Sequence, residues 1–199
     1  KNEIIISNQD KKQKINLSAL QLIENNYVIV AEETYDPPTT SLDENGQGIP
    51  YAVYGYGAQM AEITVDTELG LLKIDKITAA HDLGKTINPL LAEGQIEGGI
   101  AQGIGFALME EYIPSKTENL HDYLIPSIGD VPEIESILIE KNDPEGPFGA
   151  RGLGEHVLIP TAPAIMNALR NATGAIIAKL PALPDRILEA IEISKNGSK

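Results

Sequence analysis

The stretch that decides the fold is PLLAEGQIEGGIAQGIGFALMEE, residues 89–111. Asn88 stands before it as an N-cap residue and Pro89 fits the first helical position, so the pattern predicts a helix over 89–111. Inside it lie Gly94, Gly98, Gly99, Gly103 and Gly105. Each interior glycine costs a helix about 0.5–1 kcal/mol relative to alanine. Five in one element need an offsetting gain, which another backbone or a flat ligand in close approach can supply. Gln95, Gly98, Gly99 and Gln102 fall at i, i+3, i+4 and i+7, one face of the helix. Two amides flanking bare backbone suit a ligand rich in donors and acceptors. Tight helix–helix packing, with the glutamines bonding to loops, suits the same pattern.

Upstream of this helix, residues 61–65 alternate as a strand and 66–70 read as a turn. Residues 71–80, LLKIDKITAA, return as a second strand, so a β-hairpin closed by a four- or five-residue loop ending in glycine is predicted. Tyr51, Tyr54 and Tyr56 sit among Gly55 and Gly57 and read as a strand passing close to other backbone. Residues 4–6 suggest a short strand, and 15–23 a strand and a short helix. YVIVA at 27–31 reads as a buried strand. Residues 36–48 carry Pro37, Pro38 and an Asn45–Gly46 pair and read as an irregular loop. Downstream, EIESILIE at 133–140 is a strand, 142–154 a loop dense in glycine and proline, and 160–173 and 184–193 helices. Strands and helices are mixed and no βαβ repeat is evident. The expected class is α+β, a mixed or antiparallel sheet with packed helices. Residues 1–50 are expected to be a strand-and-loop segment of the same domain, 51–193 its body, and 194–199 a frayed tail.

The chain has 199 residues, 42% apolar and 22% charged, ordinary for a globular protein. It is long enough to bury a core without staples. Its formal charge of −14 argues against nucleic acid and anionic membrane as partners. It contains no cysteine, which excludes disulfides, thiolate nucleophiles and any iron–sulfur cluster ligated by this chain. Residues 1–10 lack the basic and apolar regions of a signal peptide, and no apolar run reaches membrane-spanning length. A cytoplasmic protein is expected. The first residue is Lys1, and a piece of something longer is expected.

A second cluster is PFGARGLGE, residues 147–155. Gly149, Gly152 and Gly154 indicate a turn or close ligand approach, and Glu155 ends the run. Glu155 reads equally as a carboxylate favoured by a helix N-terminus and as one held at a cofactor by side-chain-free backbone. No Gly-Lys-Ser/Thr follows, so this is not a Walker A loop. His81, His121 and His156 each neighbour an acid, but without the spacing of a zinc site. For His81–Asp82 a buried hydrogen-bonded pair is expected. A hydrolase pairing Glu155 with a second acid would need that acid within roughly 5–10 Å.

AHDLGKTINP (80–89), GQIEGGIAQGIGFALMEE (94–111), DYLIPSIGDVPEI (122–134) and PEGPFGARGLGE (144–155) occur in this order. PTAPAIMNALRNATGAII (160–177) and LPALPDRILEAI (180–191) follow. Together they resemble the molybdenum hydroxylase family, the xanthine dehydrogenase, aldehyde oxidase and carbon monoxide dehydrogenase group. The resemblance spans roughly residues 51–191 and matches the C-terminal part of the large, molybdopterin-binding subunit. It implies a molybdenum–molybdopterin cofactor, in the cytosine dinucleotide form, with the metal held by the pterin dithiolene rather than by side chains. It implies that Gln95, Gly98, Gln102, Gly152, Leu153 and Gly154 bind the cofactor and that Glu155 is the catalytic base. The reaction implied is hydroxylation of an aldehyde or N-heterocycle with water as oxygen source. Many members carry Lys where this chain has Arg151, whose planar fork pairs differently. The first half of a typical subunit is missing, so this chain alone is expected to be inactive. Implied partners are the N-terminal part of the subunit and iron–sulfur and FAD domains or chains, in a homodimeric or larger assembly. The alternative is a catalytically inert assembly module without cofactor.

Overall fold

A computed structural model of the chain describes residues 2–8 and 11–197. The chain forms two compact units, Lys1–Asp36 and Pro37–Lys199. In the first, β1 (Glu3–Asn8) pairs antiparallel with β2 (Lys11–Asn16), with Glu3 opposite Asn16. The Asn16 side chain accepts from Ser18 N–H and caps a short 3-10 turn, Leu17–Ala19. The buried strand expected at 27–31 is not there: those residues form no ladder, and Tyr27, Ile29 and Val30 are exposed. The cause is local. Asn25 and Asn26 take positive φ, and the turn they make lets Ile23 N–H donate to the Tyr27 carbonyl at 2.8 Å. A β-rich composition without a partner strand makes no sheet.

The second unit carries β3 (Tyr56–Asp66), β4 (Leu71–Asp82), α1 (Pro89–Leu108), β5 (Glu133–Ile139), α2 (Thr161–Thr173) and α3 (Pro184–Gly197). The sheet order is β3-β4-β5, with β3 antiparallel and β5 parallel to β4. This is the expected α+β class. The hairpin is present with its four-residue loop, and Gly70 takes φ +69° at its end. Tyr56 starts β3, whereas Tyr51 and Tyr54 precede it in irregular chain.

Two sequence features resolve in the sheet. Glu62 pairs with Lys76 but Ile63 with Ile74, so Asp75 is an extra residue on β4, and Thr64 Oγ1 donates to its carboxylate at 2.6 Å. A one-residue bulge reverses which parity faces inward. That is why Leu72 and Ile74 and then Ile77, Ala79 and His81 all turn toward the core. The parallel β4–β5 pair is also a βαβ connection with α1 as its crossover, which the sequence pattern did not reveal. The irregular chain at 109–132 separates β5 from the helix and hides the repeat.

Asn88 caps α1 by accepting from Leu91 N–H at 3.2 Å, and Pro89 is its first residue. Ile96, Ile100 and Ile104 are fully buried at a four-residue spacing and pack with Ile77, Ala79, Val157 and Ile165. A second cluster joins Leu169 of α2 to Ile187 and Ile191 of α3. α3 continues to Gly197, beyond the end that its periodicity suggests, and residues 198–199 of the expected tail lie outside the described residues. No helix among the described residues is long and apolar enough to cross a membrane.

The five glycines of α1 divide. A Cβ at Gly99 would lie 2.8 Å from Val157 Cβ, and one at Gly103 would collide with Thr161. These two let the start of α2 and the turn before it approach the helix backbone. Gly94 and Gly98 meet nothing within 4 Å.

Gly103→Ala should therefore destabilise the chain by about 1–3 kcal/mol, the overpacking cost outweighing the gain in helix propensity. Gly94→Ala should stabilise it by up to about 1 kcal/mol. Urea midpoints of the two variants would check both signs.

Candidate functional site

The loop that leads to Glu155 is fastened to the end of β4. Arg151 N–H donates to the Leu83 carbonyl at 2.8 Å and Lys85 N–H to the Gly149 carbonyl at 2.7 Å. Gly84 takes φ +63°, and a Cβ there would collide with the Gly149 carbonyl oxygen, so only glycine fits this crossing. The Arg151 guanidinium is nearly buried. It lies 3.1 Å from Asp143 and 3.5 Å from Asp82, donates to the Tyr54 carbonyl at 2.7 Å, and sits over the Tyr56 ring at 5.2 Å. Asp143 also accepts from the N–H groups of Glu145 and Gly146. A forked guanidinium meets two carboxylates, a carbonyl and a ring face together, which a lysine ammonium does not do.

Beyond Arg151 the chain passes Gly152, Leu153 and Gly154 and makes a short 3-10 turn, Glu155–Val157. Val157 is fully buried against Gly99. Its carbonyl accepts from Gln59 Nε2 at 2.8 Å, and Gln59 Oε1 accepts from Thr161 Oγ1 at 2.8 Å. Since a carbonyl only accepts, the amide orientation of Gln59 is fixed. Its nitrogen faces His81 Nε2 at 3.4 Å, so His81 carries its proton on Nδ1 and donates it to His156 Nε2 at 3.2 Å.

The partner of His81 is thus His156, not the adjacent Asp82 that sequence proximity suggested. Asp82 instead accepts from Gly84 N–H at 2.9 Å and faces Arg151. His81 is fully buried, and desolvation, with the nearby His156 ring adding to it, pushes its pKa down to about 4. Desolvation lowers His156 as well. His121 lies on an exposed turn at 119–122. No cluster of three or more His, Asp or Glu that could hold a metal occurs among the described residues.

The open side of the turn faces α1. Gln95 Nε2 donates to the Gly154 carbonyl at 3.3 Å, so the structure brings Gln95, Gly154 and the turn bearing Glu155 together. A Cβ at Gly98, Gly152 or Gly154 would meet nothing within 4 Å. Glu155 is exposed, with no side-chain partner among the described residues. Beside it lies a cleft of about 410 Å³ lined by Leu83, Ile87, Leu91, Gln95, Arg151 and Leu153. Gln102 is exposed on α1, about 10 Å along the axis from Gln95, and no hydrogen bond ties it to the turn. An apolar cleft, a free amide and uncovered backbone suit a large polar cofactor entering from outside. The molecule has a larger cavity of about 510 Å³ between the start of β4 and α3, but it contains none of these residues.

Sequence reasoning missed Gln59 and the His81–His156 pair. Gln59 carries no local signal. The pair does, in the spacing of Gly55 and Gly57: a Cβ at Gly55 would lie 2.9 Å from His156 Nδ1, and one at Gly57 would collide with the His81 ring. The close neighbours of that Tyr-Gly segment are imidazoles rather than backbone.

A family model described as a molybdopterin cofactor-binding domain matches residues 2–132. The chain is 41% identical over 145 residues to the putative xanthine dehydrogenase molybdenum-binding subunit XdhA of Escherichia coli (strain K12), covering 70% of this chain and 19% of that one. It is 43% identical over 152 residues to the aldehyde oxidoreductase of Megalodesulfovibrio gigas, covering 74% and 16%. Among solved structures, the aldehyde oxidoreductase from Desulfovibrio gigas matches with a TM-score of 0.74 at 42% identity, covering 77% of this chain and 17% of that one. The chain spans about a fifth of the length of these curated relatives.

Removing the Arg151 side chain would leave Asp82 and Asp143 buried without their cation. Arg151→Ala should cost about 3–5 kcal/mol in chemical denaturation. A pH series tests the imidazoles. A base held neutral in the folded state and protonated in the unfolded one loses stability as pH falls from 6.5 toward 4. His81 alone should remove about 2 kcal/mol between pH 7 and pH 5, above the range where carboxylates protonate. A His81→Asn chain should lack that slope.

Proposed function

The chain belongs to the molybdopterin cofactor-binding domain family of the molybdenum hydroxylases, and on that premise we propose that it carries the cofactor-binding face and the catalytic base of a larger oxidoreductase. The substrate class is an aldehyde or an N-heterocycle, hydroxylated with water as oxygen source. Bound molybdenum, held by the pterin dithiolene, would supply the oxygen-transfer and two-electron chemistry of the site. The cofactor fits the residues present, and the cytosine dinucleotide form is the one proposed.

Gln95, Gly98, Gln102, Gly152, Leu153 and Gly154 are the proposed cofactor-binding residues. Gln95 has one amide end committed to the Gly154 carbonyl, which leaves its Oε1 as an acceptor held in place. Uncovered backbone at Gly98, Gly152 and Gly154 admits a bulky ligand where any side chain would stand in the way. Glu155 is the proposed general base. It receives the proton that the water-derived oxygen gives up on transfer to the substrate carbon.

The observation that carries this reading is the pairing of opposites at the turn. Its backbone is fixed by Arg151, Val157, His156 and Gln95, while its one carboxylate is exposed and has no side-chain partner among the described residues. Catalysis gains from a base held in place before substrate arrives. With no cysteine in the chain, electrons leave through iron–sulfur groups of other domains or chains, with FAD beyond them, in a homodimeric or larger assembly. The proposed activity belongs to the whole subunit and not to this chain alone.

The test is molybdenum content and turnover of the assembled enzyme that contains this chain. Glu155→Gln should retain molybdenum and lose about 10²–10⁴-fold in kcat on an aldehyde and heterocycle panel. Gly98→Ala should raise the stability of the free chain by up to about 1 kcal/mol while lowering the molybdenum content of the assembly. An assembly without molybdenum would instead favour an inert assembly module.

A further inference from the structure

We infer that His81 and His156 form a positioning dyad that holds the turn bearing Glu155, an inference that rests on Glu155 being the base. His156 follows Glu155 directly, so whatever fixes the imidazole fixes the peptide from which the carboxylate projects. His156 Nε2 accepts from His81 Nδ1 at 3.2 Å, with ring centroids 5.1 Å apart and planes inclined by 58°. His81 stands on β4, the central strand of the sheet, and is fully buried. The dyad thus ties a loop to the central strand of the sheet.

The chain is built around these two rings. Gly55 and Gly57 leave the space they occupy, and a Cβ at either position would strike an imidazole. Gln59, two residues further along β3, sets the His81 tautomer from one side and holds the Val157 carbonyl from the other. Three alternate positions, 57 and 59 on β3 and 55 just before it, therefore serve one object.

Among the described residues, no carboxylate compensates a charge on the pair. The group facing it from β3 is Gln59, whose own partners are Thr161 of α2 and the Val157 carbonyl of the turn, and none of the three is ionisable. Of the acids next in sequence, Asp82 is engaged with Gly84 and Arg151, and Glu155 is exposed. The rings work as a neutral donor–acceptor pair, and their geometry holds only while both stay uncharged.

The chain has three histidines, so imidazole NMR can resolve each one. In the 199-residue chain, His81 should stay neutral from pH 8 to pH 5 and share an N–H with His156. In the assembled enzyme, His156→Leu removes the acceptor and should lower kcat by roughly a hundredfold at unchanged KM and molybdenum content. His156→Gln restores an acceptor within reach and should recover most of that loss. Two results would overturn the inference: no N–H shared between the His81 and His156 rings, or full kcat in His156→Leu. Failure of the base reading shows separately, as full turnover in Glu155→Gln with the dyad signals intact. In that case the pair would be architecture alone.

Discussion

Close approach between the bare backbone of α1 and the segment from Val157 to Thr161 is the constraint on which the rest of this unit depends. At Gly99 the Val157 side chain occupies the place of a Cβ, and at Gly103 Thr161 does. The helix gives up propensity at both positions and gains contact with the buried Val157 and Ile165. That contact sets how far the Glu155 turn stands from α1. It also places Gln95, one turn before Gly99, against the Gly154 carbonyl. The candidate site is therefore a by-product of a packing decision made in the core.

Two buried polar groups stabilise the turn by opposite means. Arg151 brings a permanent cation to two carboxylates on different segments, and its worth lies in what its loss would leave exposed to an apolar surrounding. His81 and His156 hold together as neutral rings with one N–H between them.

Much of this was legible because it was written in local chemistry. The helix cap at Asn88–Pro89, the hairpin with its glycine-ended loop and the α+β class follow from short-range signals. The parity change in LLKIDKITAA, apolar at 72 and 74 and then at 77 and 79, is itself the signature of the bulge at Asp75. What was not legible depends on partners distant in sequence. YVIVA has the composition of a strand and no neighbour to pair with. The βαβ crossover is hidden by the irregular chain between α1 and β5. His81 chose a ring at position 156 over the acid beside it, because the register of β4 points the ring inward and the acid outward. The two kinds of glycine in α1 also look alike in sequence; only the neighbours separate packing positions from uncovered ones.

The parallel pairing of β4 with β5 has a consequence for how this piece of chain can be divided. The match to the cofactor-binding domain family ends at residue 132, immediately before β5 begins at Glu133. A chain cut at that limit would leave the central strand of the sheet as an open edge, with those N–H and C=O groups between Lys76 and Asp82 that face β5 unpaired. An uncapped edge beside apolar side chains is a template for joining other chains. The family limit is therefore not a folding limit. The last strand acts as a guard against self-association as well as a part of the sheet.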